Sequence, residues 1–261
     1  MSAADGALLA WLALGSAASS SAAPSCVPFD HDHRAWTRLL GRYVADGHVD
    51  YASLHHDARA ELSAYLDTLS AVSRPCYAEW TREQRLAFWI NAYNAYTVSL
   101  VLEHYPVRSI RSIGWVPGSA FRTKFIPMAA LADGDLSLDD IEHGHLRKEF
   151  HEPRIHFAIV CASVSCPPLR SEAYRPADLD RQLDEQARRF LGDPTKNRVE
   201  RESRTLRLSP IFKWFREDFE KAAGSVPAFV ARYVDPATAA ACREPDVRIE
   251  FLDYDWSLNG K

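Results

Sequence analysis

Across residues 33–46 the apolar side chains Trp36, Leu39, Leu40, Tyr43 and Val44 share one stripe at helical spacing, and Gly47 follows. That pattern predicts an amphipathic helix with a glycine stop. A second helix is predicted over 58–72. Thr81 and Gln84 have the spacing of a capping box that opens a long helix to about His104, stopped by Pro106. Its segment FWINAYNAYTVSLVL (88–102) is apolar nearly all round, which predicts burial on every side. Residues 110–136, rich in glycine, proline and aromatics, predict a loop with a short hairpin around 124–126 and Gly134. Ser137 is placed to cap another helix, with Asp139 and Asp140 in a first turn where negative charge suits the dipole. Residues 155–161 predict a strand, and Pro176 suits the first turn of a helix running to about Leu191. A short strand over 205–208, a helix IFKWFREDFEKA after Ser209-Pro210 and a closing strand over 247–254 complete the reading. The fold class is therefore α+β: a mostly helical single domain, 31–261, around a small mixed sheet, with the central buried helix 82–104.

The first 30 residues differ. ALLAWLALGSAA (7–18) has the length of a signal-peptide core, and small residues near Ala17 and Ala22 give cleavage points. No Lys or Arg precedes it; the first is Arg34. The segment is read as a signal peptide, giving a periplasmic or secreted protein, or as a flexible Ala/Ser tail on a cytoplasmic one. It is too short to span a membrane, and no transmembrane helix is expected elsewhere. Ala-Pro-Ser before Cys26 makes a poor lipidation signal.

Composition narrows the partners. A net charge of -4, with acidic and basic residues intermixed, gives no reason to expect nucleic acid. The ligand class left is a small molecule or peptide. The five cysteines allow two bridges and a spare thiol in an oxidising compartment. Cys161 and Cys166 form the one close pair; an extended chain would hold them roughly 16 Å apart, so a bridge needs the ASVS between them to turn back.

Candidate chemistry concentrates in RIHFAIVCASVSCPPLRSEAY (154–174). On a regular strand Ile155, Phe157, Ile159 and Cys161 share one face, and His156, Ala158 and Val160 the other. His156 and Cys161 are thus expected to face apart unless a bulge intervenes. Cys166, beyond the turn, folds back toward His156 more readily, so the nucleophile stays open between the two thiols. The plainer alternative is a pair of structural cysteines or a disulfide. SLDDIEHGHLRK (137–148) adds Glu142 beside His143, with Arg147 a turn further on the same face. His143 and His145 point apart, and no His-x-x-x-His or Cys-x-x-Cys occurs, so no metal and no cofactor are expected. The HDH at 31–33 is expected in a flexible region. Asn91 and Asn94 share a face of the central helix and, once buried, must brace loops or orient a site. Phosphate-binding glycine loops and the serine-hydrolase elbow are absent from the sequence.

FWINAYNAYT (88–97), PVRSI (106–110), SLDDIEHGHLR (137–147), RIHFAIVCASVSCPPL (154–169), LSPIFKWFREDF (208–219) and YDWSLN (254–259) together resemble the family called domain of unknown function 547. Bacterial members often carry export signals, and plant relatives join the domain to coiled-coil or glutaredoxin-like segments. The resemblance implies no settled activity. Asn91, Asn94, Glu142, His143, His156, Cys161, Ser163, Cys166 and Pro167 fall in its motif blocks. A papain-like analogy is weak, because this helix has Asn91 near the place where those enzymes carry the nucleophile. Three readings follow. In the first, Cys161 or Cys166 attacks an amide or thioester, His143 or His156 is the base, Glu142 orients it, and Asn91, Asn94 and Ser163 give polar support. The second is a binding module shaped by a Cys161–Cys166 disulfide, and the third a thiol-redox pair.

Overall fold

The computed structural model describes residues 26–116 and 118–260. The apolar run at 7–18, and with it the choice between signal and tail, lies outside the described residues. The fold is a mixed α+β single domain. Its organising element is the helix Arg82–Glu103, opened by the capping box its sequence predicts: the Gln84 amide donates to Thr81 Oγ1 at 3.2 Å, and the Thr81 amide to Gln84 Oε1 at 2.8 Å. Residues 86–98 of this helix are buried without a break. The helices Arg34–Tyr43 and Arg59–Ser70 pack beside it through the expected stripe of Trp36, Leu39, Leu40 and Tyr43. No helix among the described residues is long and apolar enough to cross a membrane.

The strands are few. β1 (Val44–Ala45) and β2 (His48–Val49) make a minimal hairpin around Gly47. β3 (Arg198–Glu200), β4 (Thr205–Leu208) and β5 (Arg248–Phe251) form a mixed sheet, β4 antiparallel to β3 and parallel to β5. The expected hairpin in the long loop is a single bridge, Ile126 to Leu136.

Several expectations are corrected. Residues 155–161 are not a strand: Ile155–Ala158 is one helical turn, and extended backbone begins at Ile159. Glu152 and Pro153 start the turn with their carbonyls, and Asn94 takes the Ala158 carbonyl and the Val160 amide that a neighbouring strand would otherwise pair. The helix expected from Pro176 begins at Leu179, and the one after Ser209-Pro210 breaks at Phe215 into Ile211–Trp214 and Arg216–Ala223. The HDH stretch is ordered; His33 is buried with Nδ1 2.7 Å from the Tyr65 hydroxyl. The helix after Ser137 has the expected cap, Asp140 amide to Ser137 Oγ at 3.0 Å, but winds as a π-helix over Asp140–Leu146 before tightening at Arg147–Phe150.

The cysteines pair differently from the sequence expectation. Cys26 is bonded to Cys76 across 50 residues, while Cys161, Cys166 and Cys242 are free thiols. The Cys161–Cys166 disulfide considered from the sequence is therefore not formed in this structure.

Two apolar clusters meet at the helical turn. Ile155 and Ala158 belong to the one around the central helix; Phe157 belongs to the other, with Phe190, Phe212, Phe219 and Phe229. The segment richest in chemistry thus lies along a seam, where polar side chains reach a cavity without crossing either core. Loss of the Cys26–Cys76 bridge frees a long loop in the unfolded chain. Cys76→Ser should lower stability by about 2–4 kcal/mol, read as a drop in the urea midpoint, and reductant should produce the same drop in the wild type.

Candidate active site

A cavity of about 200 Å³ gathers Glu142, His143, His156, Cys161 and Cys166. Sequence alternation placed His156 and Cys161 on opposite faces; the helical turn removes that constraint, and both now line one space. Asn91 and Asn94 stand behind it as braces. Asn91 donates to the Tyr174 carbonyl at 2.7 Å and accepts its amide at 3.0 Å. Asn94 does the same for Ala158 and Val160, both at 2.9 Å, and so fixes the backbone that delivers Cys161.

After Cys161 the chain turns sharply through Ala162, at φ 56°, a conformation costing a non-glycine residue about 1–2 kcal/mol. The C-terminal segment holds this turn. The Asn259 amide donates to the Ala162 carbonyl at 3.1 Å, the Val164 amide to Ser257 at 2.8 Å, and Ser163 bridges to Leu258. Gly260 allows the close approach, since any Cβ there would meet the Val49 carbonyl at 1.9 Å. The segment also delivers Tyr254, whose hydroxyl lies 3.2 Å from Cys161 Sγ, while Ser163 Oγ lies at 3.0 Å.

The two thiols are thereby made unequal. The Cys161 amide donates to Cys166 Sγ at 2.9 Å. Hydrogen bonding from the Cys166 thiol, then from Ser163 and Tyr254, pulls Cys161 below the usual thiol range despite its burial. Burial and the neighbouring Cys161 sulfur push Cys166 well above it. A thiolate is the nucleophilic form, so the surroundings separate the pair: Cys161 is the acidic thiol, and Cys166, which accepts the Cys161 amide, is the neutral one.

Across the cavity the groups form a chain. Arg147 holds Asp218 bidentately, Nε to Oδ2 at 2.6 Å and Nη2 to Oδ1 at 2.9 Å. Burial would raise the Asp218 carboxyl, but bonds from His156 and Arg147 hold it well below the usual range. His156 Nε2 donates to Asp218 Oδ2 at 2.8 Å, and its ring stacks on Phe215 with centroids 3.9 Å apart. Burial lowers its pKa, outweighing Asp218. The imidazole is then neutral, with Nδ1 as the lone-pair nitrogen. That atom has no hydrogen-bond partner and faces Glu142 Oε1 at 3.7 Å. Glu142 is itself buried, and desolvation with the nearby Asp139 pushes its carboxyl up to about 8. A protonated Glu142 facing a bare imidazole nitrogen is self-consistent.

His143 is exposed, and its Nδ1 lies 3.1 Å from Arg147 Nη1. That nitrogen accepts, so the proton sits on Nε2. No imidazole nitrogen among the described residues is hydrogen-bonded to either thiol; Glu142 is one of the groups raised by the Cys161 charge, with Cys166 and Tyr254. No group of three or more His, Cys, Asp or Glu side chains among the described residues is arranged to hold a metal ion. Asp218, Tyr254 and the anchoring role of Arg147 were not singled out in the sequence. Asp218 and Tyr254 do lie in the quoted blocks 208–219 and 254–259, and Arg147 had been noted beside His143.

Two measurements check this charge pattern. At neutral pH, iodoacetamide should modify Cys161 ahead of Cys166 and Cys242, and Ser163→Ala or Tyr254→Phe should each move the midpoint of the alkylation profile up by about one pH unit; an unmoved profile would refute the donors' role. Between the usual carboxyl range and about 8, folded Glu142 keeps a proton that the unfolded chain has lost, so native stability falls as pH rises through that window. Glu142→Gln should flatten this slope, read as Tm against pH for the two proteins.

A search of curated proteins and a search of solved structures find no match to the chain. The model of one family, described as protein of unknown function DUF547, matches residues 77–191. That stretch holds the central helix, the π-helix and both thiols of the cavity. Over residues 77–191 the chain is accordingly similar to the DUF547 family.

Proposed function

We propose that this protein is a thiol-dependent hydrolase or acyltransferase acting on an amide or thioester of a small molecule or peptide, with Cys161 as nucleophile. One observation carries the reading: an acidified thiol and a proton-holding carboxyl line the same cavity. Near neutrality the favoured form places the negative charge on Cys161 and the proton on Glu142. Attack by the thiolate leaves an acid within the cavity for the second half of the reaction. His156, held by Asp218, is the positioning residue for Glu142, so the base first sought among the histidines is assigned to the carboxyl. Tyr93 also lines the cavity, and its hydroxyl is a candidate donor to the developing oxyanion. Outside the cytoplasm, an oxidising compartment would suit the Cys26–Cys76 bridge, in keeping with export directed by residues 7–18.

A thiol-redox reading has its own support in the contact of Cys166 Sγ with the Cys161 amide. It predicts disulfide formation under peroxide and no acyl transfer. p-Nitrophenyl acetate discriminates. The acylation reading expects a nitrophenol burst of one equivalent, with the acetyl group mapped by mass spectrometry to Cys161 and lost in Cys161→Ala. Acetylation elsewhere, or none, sinks it.

A further inference from the structure

The cavity has two chemically distinct walls. One is aromatic: Trp214 and Tyr254 have ring centroids 4.9 Å apart, and Tyr254 and Trp256 4.6 Å. Trp214 is 47% exposed, so much of its ring is uncovered. This wall reaches the sulfur through the Tyr254 hydroxyl. The other wall carries Asp139, Glu142 and His143; among the described residues no Lys or Arg lines the cavity, and a cation beside the aromatic wall, Arg111, is already stacked over the Trp256 ring at 5.0 Å. Arg147, just behind, is already committed to Asp218. A carboxylate or phosphate entering here would shed its hydration beside two carboxyl groups, with no cation in the lining itself to bond it. A flat uncharged group would instead cover the exposed rings, as apolar moieties do in ligand pockets.

The leaving group is constrained as well. Thiolates and phenolates depart unprotonated, whereas an amine must receive a proton as its C–N bond breaks. A buried carboxyl facing the unpartnered Nδ1 of His156, with Asp139 as neighbour, is suited to that task.

Building on the thiol-acylation reading, we infer that the substrate is an amide whose acyl part is uncharged, flat and apolar, seated against Trp214, Tyr254 and Trp256, with its amine directed toward Glu142 and Asp139. The Cys161 thiolate forms a C–S bond to the carbonyl carbon. The C–N electron pair goes to nitrogen, which takes the Glu142 proton and leaves as the amine. Water then gives one proton back to Glu142 while its oxygen forms the new C–O bond. The C–S pair returns to sulfur, and the free acid departs.

The test uses the full chain and p-nitrophenyl esters of phenylacetic, acetic and succinic acids, each rate divided by that of the same ester with free glutathione. Phenylacetyl transfer to Cys161 should exceed acetyl transfer by about 10–100-fold, the worth of burying one aromatic side, and the succinyl ester should be the slowest. Trp214→Ala should collapse the phenylacetyl-to-acetyl ratio. With phenylacetyl p-nitroanilide, Glu142→Gln should slow acylation about 100-fold or more, while slowing the phenylacetyl nitrophenyl ester far less. The wild-type anilide rate should fall as pH passes about 8, where Glu142 gives up its proton. Acylation of Cys161 without acyl preference, or with the succinyl ester ahead, overturns this inference and leaves the thiol reading standing. So does equal loss of ester and anilide turnover in Glu142→Gln. If no ester acylates Cys161, both fall.

Discussion

The site depends on a single amide side chain. Asn94 lies inside a helix with no access to water and must satisfy its carbonyl and its NH2 within the protein. It does so on one short stretch of backbone, taking the Val160 amide and giving to the Ala158 carbonyl. Those two groups are where the helical turn ends and the extended segment starts. A strand partner is therefore unnecessary, and the direction in which Cys161 leaves is set by the most buried helix of the fold. Asn91 repeats the device one turn earlier on Tyr174, at the far end of the same connection. The thiol loop is thus suspended between two amide clamps on one helix face.

The legibility of the sequence follows from how local each cause is. The central helix, its capping box and the pairing of Asn91 with Asn94 were readable because period and cap chemistry lie within a few residues. The turn at 155–158 was not. IHFAIVC has the composition of a strand, and what overrides it is a side chain more than sixty positions earlier. The π-helical winding after Ser137 has no local signal in the sequence and keeps Glu142 on the buried side. Cys26 with Cys76 was unreadable for the same reason, since pairing between distant thiols is decided by the fold.

The electrostatics form one system. Arg147 fixes Asp218, Asp218 fixes the His156 proton on Nε2, and the remaining nitrogen faces Glu142. The last two members of this chain line the cavity with the thiol. Each carboxyl has a different role because its surroundings differ: Asp218 has two donors and stays charged, whereas Glu142 has none and keeps its proton. Environment alone thus separates the two acids: one stays charged to hold His156, and the other keeps a proton beside it.

The hold of Tyr254, Ser257 and Asn259 on the thiol loop has a temporal consequence. During synthesis residue 254 and those after it emerge last. Until then Cys161 lacks one of its hydroxyl donors, and nothing from the C-terminal segment holds the strained turn at Ala162. The sulfur acquires its full acidity only as the last residues dock, so the reactive thiol is a product of completed folding. A nascent or truncated chain carries a cysteine of more ordinary character.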